Sequence, residues 1–362
     1  MNTTKKISSG TELAVAAEHV TDNAITKRMH VAKGVVPHEF PTTCSFYREL
    51  LTFEPTYSTE NEIKRALESL DVVVAPVQEN TKHAFENVTH ALMNLPADAR
   101  PDLILWTHTQ YNGLDKEAQL RMLICARKLG IPVVGYHLDR WWGLSREHLL
   151  HSEPFFLVDT LYTADGGPHD WKSLNINHKW LPPAVDEEQC KKGTPRDHFK
   201  SEIAFIGNWN GSYHTEHAHR FELVKWLRDT YGERVRFWPV EGQPAIRGTD
   251  LQDLIASCDV IVGDSCFTGT TRYVSDRIPE TIGRGGFLLH PKIEGITDGA
   301  EYQEGKHLAT WGAFDWQELK TQIDSYLADE TERRSIADEG QRHVRALHTY
   351  RHRMERVLGE VL

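Results

Sequence analysis

Cysteine is scarce in this chain and wrongly spaced for a framework. There are five, Cys44, Cys125, Cys190, Cys258 and Cys266, an odd number with no C-x-x-C, so neither a disulfide scaffold nor a zinc ribbon is indicated. Long apolar runs are missing as well. No stretch reaches the length of a membrane span, and Met1 to Gly10 lacks the apolar core of a signal peptide, so a cytoplasmic protein is expected. Positive charge is in deficit: 41 Lys and Arg against 52 Asp and Glu give a formal net charge of −11. That balance argues against a broad basic face for duplex nucleic acid and leaves one local cluster, Lys27, Arg28, Lys33 and Arg48 with His30 and His38. G-x-x-x-x-G-K-[ST] does not occur, which removes the P-loop kinases. Histidine, by contrast, is plentiful at 20 residues. In His214-x-x-His217-x-His219, positions 214 and 219 would stand about 140° apart on a helix. Beyond Glu216 no acid or thiol stands at ligand spacing, so no metal site is expected.

What is present is alternation. At 362 residues with 40% hydrophobic content, the chain suits two α/β domains of about 150 to 180 residues each. After a polar leader over residues 1–27, short apolar runs at Met29–Ala32, Val72–Ala75, Leu103–Trp106, Val133–Tyr136 and Phe156–Val158 read as central strands of a parallel sheet. The clearest helix between them is Lys116–Leu129, closed by Gly130-Ile131-Pro132. A second series has strands at Ile203–Ile206, Val235–Trp238, Val260–Val262 and Phe287–Leu289, with helices at His217–Thr230, Leu251–Ser257 and Tyr273–Gly283. The expected domains are 28–185 and 186–330, followed by C-terminal helices over 331–362. Such β-α alternation implies doubly wound sheets.

The most informative segment is Ser275-Asp276-Arg277-Ile278-Pro279-Glu280-Thr281-Ile282-Gly283-Arg284-Gly285-Gly286-Phe287. A helix start favours an anion, a carboxylate at Glu280 can accept two bonds from a vicinal diol such as ribose, and glycines permit close approach. The segment resembles the donor-binding helix of GT-B glycosyltransferases, in particular the spore-maturation-like group with its R-x-x-E-x-x-x-x-G-G pattern. The resemblance extends to Trp180-Leu181-Pro182-Pro183-Ala184-Val185-Asp186, to Ile203-Ala204-Phe205-Ile206-Gly207-Asn208, and to Glu339-Gly340 with the closing His348-Thr349-Tyr350-Arg351-His352-Arg353. It covers roughly residues 155–358, while the N-terminal third matches in pattern only. It implies a GT-B fold, two Rossmann-like domains facing a cleft with a C-terminal helical tail. It also implies a hexosyltransferase that uses a UDP- or GDP-linked sugar as co-substrate and no other cofactor. No D-x-D occurs, which fits donor binding without a metal. Many retaining members carry a second glutamate eight residues before the ribose-binding one. Arg272 stands there, so whether transfer inverts or retains configuration stays open.

By that resemblance the donor site comprises Gly207, Asn208, Ser265, Arg272, Arg277, Glu280, Thr281, Gly285 and Gly286. Arg272 or Arg277 binds the diphosphate, and one of the two pairs instead with Asp264 or Asp276. Ser265 either bonds the donor or caps a helix. Glycosyl transfer by inversion also needs a base. Asp139, in Gly135-Tyr136-His137-Leu138-Asp139-Arg140-Trp141-Trp142, falls just past the end of a parallel strand, where open sheets place ligands. His137 is the alternative base. Trp141 and Trp142 offer stacking surface to an acceptor, and His38 occupies a second strand-end loop; the alternatives are a helix cap for Asp139, core for the tryptophans and plain surface for His38. The acceptor is a glycan, a small molecule or a modified nucleobase in DNA. A GT-B-shaped protein that binds a glycan or nucleotide without catalysis is the alternative function.

Overall fold

Parallel pairing organises every strand of the computed structural model, which describes residues 27–31, 58–77, 79, 83–107, 115–209, 218–265 and 267–362. The first sheet comprises Lys27–Val31 (β1), Val72–Pro76 (β2), Leu103–Thr107 (β3), Val133–His137 (β4), Thr160–Thr163 (β5) and His178–Trp180 (β6), in the order β2-β1-β3-β4-β5-β6. The second comprises Ser201–Ile206 (β7), Val235–Trp238 (β8), Cys258–Val262 (β9), Leu288–Pro291 (β10) and Ala309–Trp311 (β11), in the order β11-β10-β9-β7-β8. Both orders reverse direction at one strand, so each sheet has a switch point: beside β1 in the first and between β7 and β9 in the second. Crevices at such points, outside the carboxyl ends of the strands, are where doubly wound sheets bind ligands.

The local sequence explains the elements. β3 and β4 are buried along their whole length, as expected of continuous apolar runs covered on both faces. The helix Lys116–Lys128 starts where the Asp115 carboxylate accepts the Ala118 N–H at 3.0 Å and stops just before Gly130, which has φ +70°. Two segments differ from the sequence reading. Phe156–Val158 is not a strand: Pro154 opens a 3-10 turn through Leu157, and the strand comes later, at Thr160–Thr163. Phe155 and Phe156 are thereby turned into the core beside Trp106 and Trp141. The helix expected from Tyr273 begins only at Arg277. Pro279 has no N–H and is tolerated in a first helical turn but not deeper, which sets the later start. The edge strands β6 and β11, three residues each, gave no apolar run long enough to be read.

Helices Trp316–Ala328, Glu330–Leu347 and Tyr350–Val361 close the chain. Among the described residues two compact units result: those up to Thr163 with 169–180 and 354–362, and 164–168 with those from Leu181 to Arg353. The last nine residues thus belong with the first unit, where Glu360 accepts from Tyr162 and Lys179 at 2.7 Å. The motifs around Pro183 and Thr349, far apart in sequence, meet in the second unit. Val185 N–H donates to His348 O, Tyr350 N–H donates to Val185 O at 3.0 Å, and Arg353 Nε donates to Pro182 O at 2.9 Å. No helix among the described residues is long and apolar enough to cross a membrane.

Burial lowers the pKa of His348 to about 2, with Arg353 adding to the effect, and those of His307 and His290 to about 4. Each imidazole is therefore neutral in the fold. In the unfolded chain histidine titrates near about 6.5, so the unfolded state binds more protons below that pH. The stability these groups contribute is present above about 6.5 and is lost as pH falls toward about 4. The thermal midpoint is expected to drop steadily between pH 7 and pH 4.5, and His348→Gln to flatten the drop. An equally steep drop in that variant would assign it to other groups.

Candidate donor and acceptor sites

At the switch point of the second sheet, two turns meet. β7 ends at Ile206, and Gly207 follows with φ +140°, a conformation that side chains disfavour. Its N–H donates to Trp238 O at 2.8 Å, and a Cβ there would overlap the Arg277 guanidinium. β9 ends at Val262, and Gly263 leaves room for His290 and the Arg277 stem. Asp264 comes next and is 1% exposed. Its carboxylate accepts from Arg220 Nε at 2.8 Å and from Arg277 Nη1. Backbone carbonyls hold both arginines too: Arg277 donates to Asp264 O at 2.8 Å and Ile206 O at 3.2 Å, and Arg220 donates to Asn208 O at 3.1 Å. Burial would raise the Asp264 pKa, but the two guanidiniums outweigh it and hold the carboxyl below its usual range. Among the described residues, two guanidiniums thus share one buried carboxylate at the strand ends.

Replacing Gly207 by alanine tests this geometry. The left-handed backbone and the overlap with Arg277 would force that side chain off its carbonyls, at a cost of about 1–3 kcal/mol. A matching loss of unfolding free energy is expected in denaturant titration, accompanied by weaker donor binding; an unchanged midpoint would show that the turn tolerates a side chain.

Arg277 opens the helix Arg277–Gly283, and Glu280 lies one turn on. The Glu280 carboxylate pairs with Arg284 Nη1, which also donates to Glu280 O at 3.0 Å. The Arg284 side chain is 3% exposed and that of Glu280 22%. Burial pushes the Glu280 carboxyl above its ordinary pKa, against the pull of Arg284. Ser265 caps no helix, since the next one begins at Arg277; its hydroxyl is buried and has no hydrogen-bond partner among the described residues.

Not every residue expected at the donor converges there. Thr281 is buried, and its methyl lies where a Cβ on Gly286 would stand, together with Ile255 and Ile261. Gly285, at φ +77°, makes room for the Lys192 stem. Both glycines are packed against at the far end of the helix, and Gly285 lines a cavity of about 400 Å³ with Lys192, Asp259, Arg284 and Arg333, near the start of β9. Arg272 is exposed, has φ +53° and runs its stem over Gly295. Of the two candidate arginines it is Arg277 that pairs with Asp264, and the pair is buried, not superficial. Arg220 is the residue that sequence reasoning missed: its position near a helix start carried no sign that it would reach back to the strand ends.

In the first unit, β4 delivers His137 and Asp139. Asp139 is exposed and caps no helix, for the next helical turn begins at Glu147. Its N–H donates to His137 Nδ1 at 2.9 Å. A neutral His137 therefore carries its proton on Nε2 and has no free basic nitrogen; it is also 2% exposed. Of the two expected base candidates, Asp139 is exposed and His137 is enclosed. Trp141 is core, 1% exposed and edge-on to His137 and Phe156, so it offers no stacking face. Trp142 is half-buried and stacks on His169 at 5.2 Å. His38 and residues 1–26 of the expected leader lie outside the described residues, as do His214 and His217, while Lys27, the last residue of that leader, opens β1.

Residues 207–359 match a family model described as glycosyl transferase-like. Three solved structures are similar over nearly the whole chain. An alpha-glucosyltransferase in complex with UDP and a 13-mer DNA containing a central A:G mismatch is 9% identical with a TM-score of 0.62, and covers 93% of this chain and 99% of its own. Alr3699/HepE of Anabaena, in complex with UDP and glucose, is 12% identical with a TM-score of 0.53 over 93% and 99%. The sucrose-phosphate synthase tll1590 of Thermosynechococcus elongatus is 11% identical with a TM-score of 0.55 over the same shares. No curated protein matches. At such identities the likeness establishes the fold, and that fold is GT-B.

Proposed function

We infer that this GT-B glycosyltransferase takes its sugar from a nucleoside-diphosphate sugar bound at the carboxyl ends of β7 and β9 and delivers it to a hydroxyl. The observation that carries the reading is the convergence of Arg220 and Arg277 beside Gly207, at the sheet's switch point. Fixed guanidiniums and a glycine turn suit a diphosphate. Glu280 receives the ribose diol, exchanging part of its bond to Arg284. The UDP found in the similar structures supports a UDP-linked donor.

Transfer forms a bond between the acceptor oxygen and the sugar's anomeric carbon and breaks the one from that carbon to the diphosphate. The acceptor proton passes to Asp139, and the leaving diphosphate keeps the bonding pair, its charge met by Arg220 and Arg277. Trp142 with His169 provides the aromatic surface for the acceptor. The acceptor is read as a glycan or small molecule because the chain's charge is −11. DNA is the second reading, prompted by the DNA-bound alpha-glucosyltransferase. Calorimetry with UDP and uridine tests the donor site: UDP is expected to bind and uridine to bind far more weakly, whereas equal affinities would remove the diphosphate from the reading.

A further inference from the structure

We propose that the cavity at the far end of the helix Arg277–Gly283 is a second ligand site, for a small organic anion bearing a phosphate or carboxylate. Its occupant competes with Glu280 for Arg284 and so loosens the nucleotide; this coupling rests on the assignment of Glu280 to the ribose. The cavity measures about 400 Å³ and is lined by Cys258, where β9 begins, whereas the donor turn follows Val262, where β9 ends. It is thus a separate place on the same sheet, of a size that suits a small metabolite.

Charge is distributed unevenly over its walls. Among the described lining residues the enclosed charges are Arg284 and Arg333, with side chains 3% and 8% exposed. The lining acids, Asp259, Glu330 and Asp338, are all exposed. Arg333 is oriented by a helix end: its Nη1 donates to Tyr326 O and, at 3.1 Å, to Leu327 O, while its Nη2 stands 3.4 Å from Asp259 Oδ1. Arg284 is the less satisfied of the two. Its Nη1 donates to Glu280 O and pairs with the Glu280 carboxylate, but its Nε is buried with no hydrogen-bond partner among the described residues. A buried donor left unpaired is costly, and an oxyanion in the cavity is the acceptor it lacks. Pro195, Ile255 and Phe287 add apolar wall, which suits an organic anion better than a bare one.

An anion bonded to Arg284 draws on the guanidinium that Glu280 uses. The carboxylate then loses its orienting partner, and the ribose its prepared acceptor. By linkage the nucleotide weakens the anion to the same degree.

Calorimetry on the full chain with glycerol 3-phosphate and with succinate tests the site, the tighter ligand identifying the headgroup. At least one is expected to bind, and to weaken by about tenfold or more in Lys192→Glu and in Arg333→Gln as a charge-assisted contact is lost. Lys192 is exposed, so its variant poses the question even where Arg333→Gln does not fold. No binding of either ligand at millimolar concentration, or binding indifferent to Lys192→Glu, overturns the proposal. In UDP titrations at rising anion concentration, affinity should fall by about 5- to 100-fold and then level off. No change overturns the proposal, as does a fall without limit, which would place the anion in the donor site. Equal weakening of a UDP analogue lacking both ribose hydroxyls overturns it too, since Glu280 would then carry no coupling. Failure of the wild-type protein to bind UDP falls instead on the donor assignment, and the anion titrations with Lys192→Glu still decide the site.

Discussion

Replacing Asp139 by asparagine is expected to remove most of kcat, by about 10²- to 10⁴-fold, the usual contribution of a positioned base, while donor affinity survives. The amide keeps the shape of the side chain and loses its basicity. Three observations support the choice. Asp139 stands just beyond the carboxyl end of β4, it is exposed, and its backbone is pinned by the bond from its N–H to His137 Nδ1. That bond also withdraws His137 from competition. The check is steady-state transfer with the variant, alongside calorimetric donor binding. Near-normal turnover, or a product that keeps the donor's anomeric configuration, would leave Asp139 a binding residue, with the base supplied by the donor phosphate.

Glu280→Gln should weaken UDP by about 1–3 kcal/mol, the cost of disturbing a charged hydrogen-bond pair. The carboxylate lies one turn along the helix from Arg277 and is held by Arg284, so it is oriented before the ribose arrives. Glutamine keeps one acceptor, loses the charge and leaves the nearly enclosed Arg284 without its counter-ion. A UDP analogue lacking both ribose hydroxyls should bind wild type and variant alike. If UDP affinity is unchanged by calorimetry, the ribose assignment falls.

Much of the fold was legible because parallel strands buried on both faces are written as uninterrupted apolar runs. Val133–His137 and Cys258–Val262 lie within a residue or two of where those runs placed them. Edge strands of three residues leave no such trace, and Pro154 and Pro279 shifted boundaries that periodicity alone could not fix. The candidate site was legible where its residues lie close along the chain. Gly207, Arg277 and Glu280 sit on one strand turn and one helical turn, and spacing along the chain reports them. Arg220 reaches the strand ends through a tertiary path that spacing does not encode. Gly285 and Gly286 illustrate a second limit: paired glycines signal close approach, and the protein groups that approach here are Lys192, Ile255, Ile261 and Thr281. Trp141 and Trp142 are adjacent in sequence but differ in burial, the first enclosed in the core and the second half-buried at its margin.

The central claim, sugar transfer from a nucleotide-linked donor, is tested most directly by incubating the purified protein with UDP-, GDP- and ADP-sugars carrying an isotopic label in the hexose. Released label, free or on an acceptor, should appear with at least one donor, with UDP-linked hexose first, and should fall by about 10²- to 10⁴-fold in rate in Asp139→Asn. Neither transfer nor hydrolysis from any of the three, in a protein that is folded, would contradict the account.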